Sequence, residues 1–265
     1  MGTKDYGSHG IKVKKALFLY WHGLGDVIML TPLLRYLHNN GYTTDLLCRE
    51  SVRSSKLLDD CPYVDNLIMV ENPWRSPLGF SKQVNENVAK LKQLAPAYDW
   101  SGGALHTGQF SDKVRRNFGE NGFICNDLDL EVFIPAHIEE EVTQYVTQNY
   151  PNGFIFNHTK IEYHKNHDWD SSQWIAQNLP KLPIVDTGYD GNYYRKWEDI
   201  RYTFALIRHA SHRVVSSSVF VHVCDALKLP IDVVNYGTPD RKVWPYDQEL
   251  MLRIREKGKW IKQAT

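Results

Sequence analysis

The four cysteines, Cys48, Cys61, Cys125 and Cys224, include no CxxC pair. The chain therefore gives no sign of a structural zinc site or a dithiol redox motif, and it suits a reducing, cytoplasmic setting. Net charge is also missing: 31 Lys and Arg balance 31 Asp and Glu. The molecule as a whole then exerts no long-range pull on a polyanion, although Lys113, Arg115 and Arg116 form a local basic run. No apolar stretch approaches the ~18 residues of a membrane span, so no transmembrane segment is expected. Residues 1–15 are polar and lack a signal-peptide core; they read as a disordered lead-in. A dinucleotide fingerprint is absent too, because Gly23-Leu24-Gly25 continues into Asp26-Val27-Ile28 rather than G-x-G-x-x-G.

What is present is an alternation of short apolar runs and amphipathic segments. Residues 16–21 (ALFLYW) form a continuous apolar run, as in a parallel strand buried on both faces. Val27, Leu30, Leu34 and Leu37 then mark one helical face. Thr31-Pro32 either starts that helix or kinks one that begins near Asp26. Strands are expected at 43–48, 66–70 and 123–126, and helices at 84–94 and 139–149. Pro151-Asn152-Gly153 reads as a turn or linker. A second series follows, with strands at 154–157, 182–185, 213–216 and 231–236 and helices behind Ser171 or Ser172, at 203–210, 219–228 and 248–262. Two βαβ series of similar size predict an α/β protein of two Rossmann-like, doubly wound domains, residues 16–136 and 137–265. The final helix is a candidate to pack back on the first domain.

In open parallel sheets ligands bind beyond the carboxyl ends of the strands. The unusual polar residues cluster at those ends: Asp26, His158, Thr187, Ser216-Ser217-Ser218 and the segment from Gly237 to Asp240.

These motifs resemble glycosyltransferase family 9, the heptosyltransferase family. Residues 23–34 (GLGDVIMLTPLL) are similar to its opening glycine–aspartate–TPL motif. Residues 58–65 (LDDCPYVD) resemble its N-P-x-V-D segment, and residues 216–227 resemble D-T-G-x-x-H-x-x-A-A-L. Residues 236–240 (YGTPD) resemble F-G-P-T-D-P, and Trp169 and Trp174 keep a spacing seen in that family. The resemblance runs from about residue 16 to residue 240. It implies two domains facing a cleft, the GT-B arrangement, and an inverting, metal-independent transfer from a nucleotide-diphosphate sugar to an acceptor hydroxyl. Ser217 stands where the family has an acidic, donor-contacting residue, and His167 stands where it has a lysine. A lipopolysaccharide-type glycan is one implied acceptor. A hydroxymethylated DNA base, as in bacteriophage glycosyltransferases, is an alternative. A non-catalytic nucleotide-sugar-binding module is an alternative of another class.

Several positions carry two readings. By its residues alone, Asp26 is an ordinary helix cap; the resemblance implies the base that deprotonates the acceptor. Ser217 and Ser218 open a helix, where free N–H groups and the dipole suit a diphosphate or where they merely cap. His222, one turn into the same helix, contacts the ligand or packs. Gly25, His158, Thr159, Lys165, His167, Gly237, Thr238 and Asp240 complete the expected donor side, with His158, Lys165 and His167 as cations replacing a metal. His22, His106 and Arg115 are the expected acceptor side. Asp127-Leu128-Asp129 and Asp168-Trp169-Asp170 match the DxD pattern of metal-dependent transferases, a pattern common by chance. No cofactor or metal is expected.

Overall fold

The computed structural model describes residues 14–103, 113–124, 126–160, 169–193, 198–235 and 259–261. The first series runs β1 (Lys14–Tyr20), α1 (Leu24–Ile28), α2 (Thr31–Asn39), β2 (Tyr42–Cys48), α3 (Glu50–Ser54), β3 (Val64–Met69), α4 (Phe80–Leu94), β4 (Trp100–Gly103) and α5 (Lys113–Gly119). The second runs α6 (Ala136–Asn149), β5 (Ile155–His158), α7 (Ser172–Asn178), β6 (Ile184–Asp186), α8 (Ile200–His209), β7 (His212–Ser216), α9 (Val219–Ala226), β8 (Val233–Asn235) and β9 (Lys259–Ile261). The first series forms a sheet of order β3-β2-β1-β4, the second a sheet of order β6-β5-β7-β8-β9. Every recorded strand pair is parallel. The chain is thus α/β, as expected.

The composition of β1 follows from its place. Phe18 and Tyr20 enter a large core with Leu33, Leu34 and Leu37 of α2. Leu17, Leu19 and Trp21 turn the other way, onto Val84, Val88 and Leu91 of α4. A strand covered on both faces has no polar side, hence the unbroken apolar run. In the second sheet Phe156 and Val215 pack with Phe204 and Phe220, whereas Ile155 and Val214 pack with Ile175, Trp169 and Trp174 on the opposite face.

Contacts also join the two series. Ile200 N donates to Ser55 O at 3.2 Å, and buried Arg201 pairs with both Asp199 and Asp60. The turn after Pro151 forms as expected, with Gly153 at φ 88°, a conformation that favours glycine.

Three expected elements differ. The helix after Asp26 is split: α1 ends at Ile28, and α2 begins at Thr31 with Leu30, not Thr31, at its N-cap. The Thr31 hydroxyl is engaged elsewhere, donating to Ile28 O and accepting from Glu131 N. No strand forms at Phe123 and Ile124. The edge N–H of Gly103 is taken by the Asn121 side chain (3.1 Å), and the Phe123 ring packs on Tyr36 and Trp100. Finally, 259–261 is not helical: these residues form β9 and cover the edge of β8, satisfying backbone groups that a helix would leave unpaired. The rest of that expected helix lies outside the described residues.

Candidate functional site

The carboxyl end of β1 leads through Trp21 and His22 into Gly23, the extended N-cap of α1. Asp26 is the third residue of that helix, and its Oδ2 accepts a hydrogen bond from Gly23 N at 3.0 Å. The carboxylate therefore does cap the turn, and the cap fixes its orientation at the strand end. Its charge reaches further: buried Tyr20 is held well above the usual phenol range, by burial first and by Asp26 second.

Gly25 is dictated by packing. A Cβ at this position would lie 2.6 Å from His222 Cδ2 and 3.1 Å from its Nε2. Only glycine lets α1 approach α9 this closely. The structure thereby joins two motifs nearly 200 residues apart in sequence, the Gly-Leu-Gly-Asp turn and the helix behind the serine turn.

On the second sheet, Ser216 ends β7, and its buried Oγ donates to Thr159 O at 3.0 Å. Ser217 and Ser218 follow, and Ser218 is the extended N-cap of α9 without a side-chain capping bond. Ser218 Oγ is buried and has no hydrogen-bond partner among the described residues. A buried hydroxyl left this way carries a desolvation cost unless something else occupies the position.

His158 ends β5, beside Thr187 at the end of β6. Its Nδ1 lies 3.1 Å from Thr187 Oγ1, and its ring meets Phe220 edge-on at 4.5 Å. The residue is half-buried, and burial pushes its pKa down to about 4. His158 is therefore neutral at neutral pH and supplies a hydrogen bond, not the expected positive charge.

Thr159, expected on the donor side, is buried, with its hydroxyl 3.2 Å from Ser171 Oγ and 3.4 Å from Asn157 Oδ1. That side chain ties β5 to the start of α7.

On the acceptor side, His22 is buried among Tyr20, Trp21 and Trp74 rather than projecting from the loop. The basic run on α5 is divided: Arg115 is exposed, while Arg116 is buried near Tyr20. It does not form one cationic face. His106, Lys165, His167, Gly237, Thr238 and Asp240 lie outside the described residues.

Two arginines escaped the sequence reading. Arg49 directly follows β2 and N-caps α3, with its guanidinium 3.1 Å from Ser51 Oγ. Its pKa is lowered by burial first and by the charge of Arg75 second, with Asp26 acting in the opposite direction. Arg49 thus stands within electrostatic reach of both Asp26 and Arg75. The rule that singled out Asp26, a polar residue just beyond a parallel strand, also points to Arg49.

Three of the four DxD-like carboxylates have other partners, and Asp168 lies outside the described residues. Asp127 pairs with Arg35 (2.7 Å) and Asp129 with Lys228 (2.7 Å). Asp170 accepts from Ser172 N at 3.0 Å. Among the described residues no group of three His, Cys, Asp or Glu could hold a metal, and no helix is long and apolar enough to cross a membrane. Cys48, Cys61 and Cys224 are buried, and burial pushes the thiols of the first two up to about 12.

No protein-family model and no curated protein matches the sequence. Solved structures do match in fold. A glycosyl transferase family 9 protein from Veillonella parvula is 13% identical, with a TM-score of 0.57 over 96% of this chain and 88% of that one. The E. coli ADP-heptose lps heptosyltransferase II is 13% identical, with a TM-score of 0.60 over 95% and 91%. The E. coli heptosyltransferase WaaC, solved with ADP, is 12% identical, with a TM-score of 0.50 over 94% and 93%. In fold, over nearly its whole length, this chain is similar to the glycosyltransferases of family 9.

Proposed function

We propose that the chain is an inverting, metal-independent glycosyltransferase of the heptosyltransferase kind, using a nucleotide-diphosphate sugar as donor. In this reading residues 16–136 form the acceptor-side Rossmann-like unit and 137–265 the donor-side unit, facing each other in the GT-B manner. One observation carries it: the contact of Gly25 with His222, which sets Asp26 beside the serine-capped helix α9. A base for the acceptor and a cradle for the leaving group belong at one place, and these two motifs supply them.

Asp26 takes the proton of the acceptor hydroxyl. The acceptor oxygen bonds to the anomeric carbon from the face opposite the donor diphosphate. The bond from that carbon to the diphosphate oxygen breaks, and the nucleoside diphosphate departs with the electron pair. The proton on Asp26 passes to solvent. The N-cap bond from Gly23 N does not conflict with this role, since a carboxylate offers two oxygens with about four acceptor sites. Ser217 and Ser218, at the positive end of α9, hold the diphosphate, and buried Ser218 Oγ gains there the partner it otherwise lacks. His158 donates one neutral hydrogen bond, and Lys165 and His167 supply charge. Adenosine diphosphate is the first donor base to try, because two of the fold neighbours are described with ADP or ADP-heptose.

The reading is tested by nucleoside diphosphate release from the donor in the presence of a lipopolysaccharide-core glycan. Asp26→Asn is expected to lower turnover by about 10²–10⁴-fold while leaving donor affinity within about twofold. Turnover near the wild-type level in Asp26→Asn would remove the base from the mechanism. Neither a modified DNA base as acceptor nor a non-catalytic module is favoured by any observation. The burial of Arg116 takes a cation away from the run that DNA would need.

A further inference from the structure

The turn between β3 and α4 reverses the usual partition of side chains. Trp74, Leu78 and Phe80 are 57%, 47% and 47% exposed, whereas Gln83 and Asn87 on α4 are buried. Among the described residues the other exposed large apolar side chains are Ile124 and Ile184, which stand singly, and only Ile124 is as open to solvent.

This display is built in. Asn72 caps the 3₁₀ turn Pro73–Arg75 by accepting from Trp74 N at 3.1 Å. Ser76 Oγ donates to Gln83 Oε1 at 2.7 Å and accepts from Leu78 N at 3.1 Å. Gln83 Nε2 donates to Asn87 Oδ1, and Asn87 Nδ2 to Glu71 O. Gly79, at φ 82°, makes the bend into α4. The inward amides are consumed in holding the turn, and the apolar side chains are left outside. Trp74 and Phe80 lie 5.4 Å apart, ring to ring, so the surface is one aromatic ridge.

Residues 73–82 (PWRSPLGFSK) contain two cations, Arg75 and Lys82, both exposed, and no anion. An exposed ridge of Trp, Leu and Phe flanked by Arg and Lys matches a lipid headgroup layer: aromatics and Leu enter the acyl boundary, and the cations meet anionic headgroups. The rim of a patch for a protein partner would instead be expected to carry polar groups of both signs. The ridge also adjoins the candidate site, since the Trp74 ring lies 5.5 Å from that of His22. We infer that the Trp74–Phe80 turn is an interfacial anchor that seats the acceptor side of the molecule on an anionic lipid bilayer.

The test is co-sedimentation of the full chain with vesicles of phosphatidylcholine containing about a third phosphatidylglycerol, with no sugar donor present. Its outcome is therefore separate from that of the transfer reaction. The wild type is expected to sediment, and Trp74→Ser combined with Phe80→Ser to lower the bound fraction by about tenfold. Leu78→Ser, at an exposed position, and Arg75→Ser with Lys82→Ser should each lower it by severalfold, with melting temperatures close to wild type. Salt should weaken binding. The anchor is overturned if the wild type stays in the supernatant, if it binds pure phosphatidylcholine equally, or if the variants sediment like wild type. Unchanged vesicle binding with a raised KM for a soluble acceptor would make the ridge a sugar-stacking platform instead.

Discussion

The Asp26 carboxylate caps α1, and in the proposed mechanism the same carboxylate is the base, so its residue type alone was ambiguous. The bond from Gly23 N orients the group, and the strand end places it where an acceptor can arrive. Gly25 was legible as part of a tight turn, but its reason was not, because the reason is a histidine on a distant helix. Gly25→Ala is expected to destabilise the chain by about 1–3 kcal/mol, and by clearly less in a His222→Ala background. A double-mutant cycle in urea measures that coupling; additive effects would mean that the contact is not the constraint. His158 gives a pH signature. Its native pKa of about 4 lies below the ordinary value of 6.5, so between these values the unfolded chain binds more protons than the folded one. The contribution is complete above 6.5 and is lost as pH falls towards 4. Urea midpoints measured across this window should drop for the wild type and drop less for His158→Gln; equal slopes would show that His158 is not the group responsible.

At the scale of elements, the strands were legible wherever both faces are covered. Burial of both faces of β1 leaves no polar position, so the run 16–21 announces itself. Leu19→Ala should cost about 2–5 kcal/mol, because the truncated side chain leaves a void beneath α4. A change in stability below 1 kcal/mol by denaturant titration would contradict that packing. The failures have a common cause. Phe123 and residues 259–261 carry weak local patterns, and what decides them is a strand edge elsewhere in the chain: the β4 edge, taken by the Asn121 side chain, in one case, and the β8 edge in the other. The surroundings of Thr159 and Arg116 were illegible for a similar reason. A threonine after a strand and an arginine in a basic run have nothing local to say that one joins a buried hydroxyl network and the other enters the core. Arg49 was illegible because a cation beyond a strand is ordinarily solvated, and only the fold sets it within electrostatic reach of both Asp26 and Arg75.

For the whole molecule, the order of motifs carried more information than any single one. Five weak matches in sequence order anticipated a fold that covers almost the full length of known family 9 structures at only 12–13% identity. Such a likeness can persist because two parallel sheets need only apolar strands, amphipathic helices and glycine at the closest helix approach, and those requirements tolerate nearly any other substitution. The claim that the chain is a nucleotide-sugar transferase rests on chemistry assembled at α1 and α9. Thermal unfolding of the wild type against ADP, UDP, GDP, CDP and their sugars tests it most directly, since a ligand that binds only the folded state raises the melting temperature. The account predicts a clear upward shift with one nucleoside diphosphate, kept in Asp26→Asn and reduced in Ser218→Val. No shift with any of them, or one that Ser218→Val leaves intact, would contradict the donor site at α9.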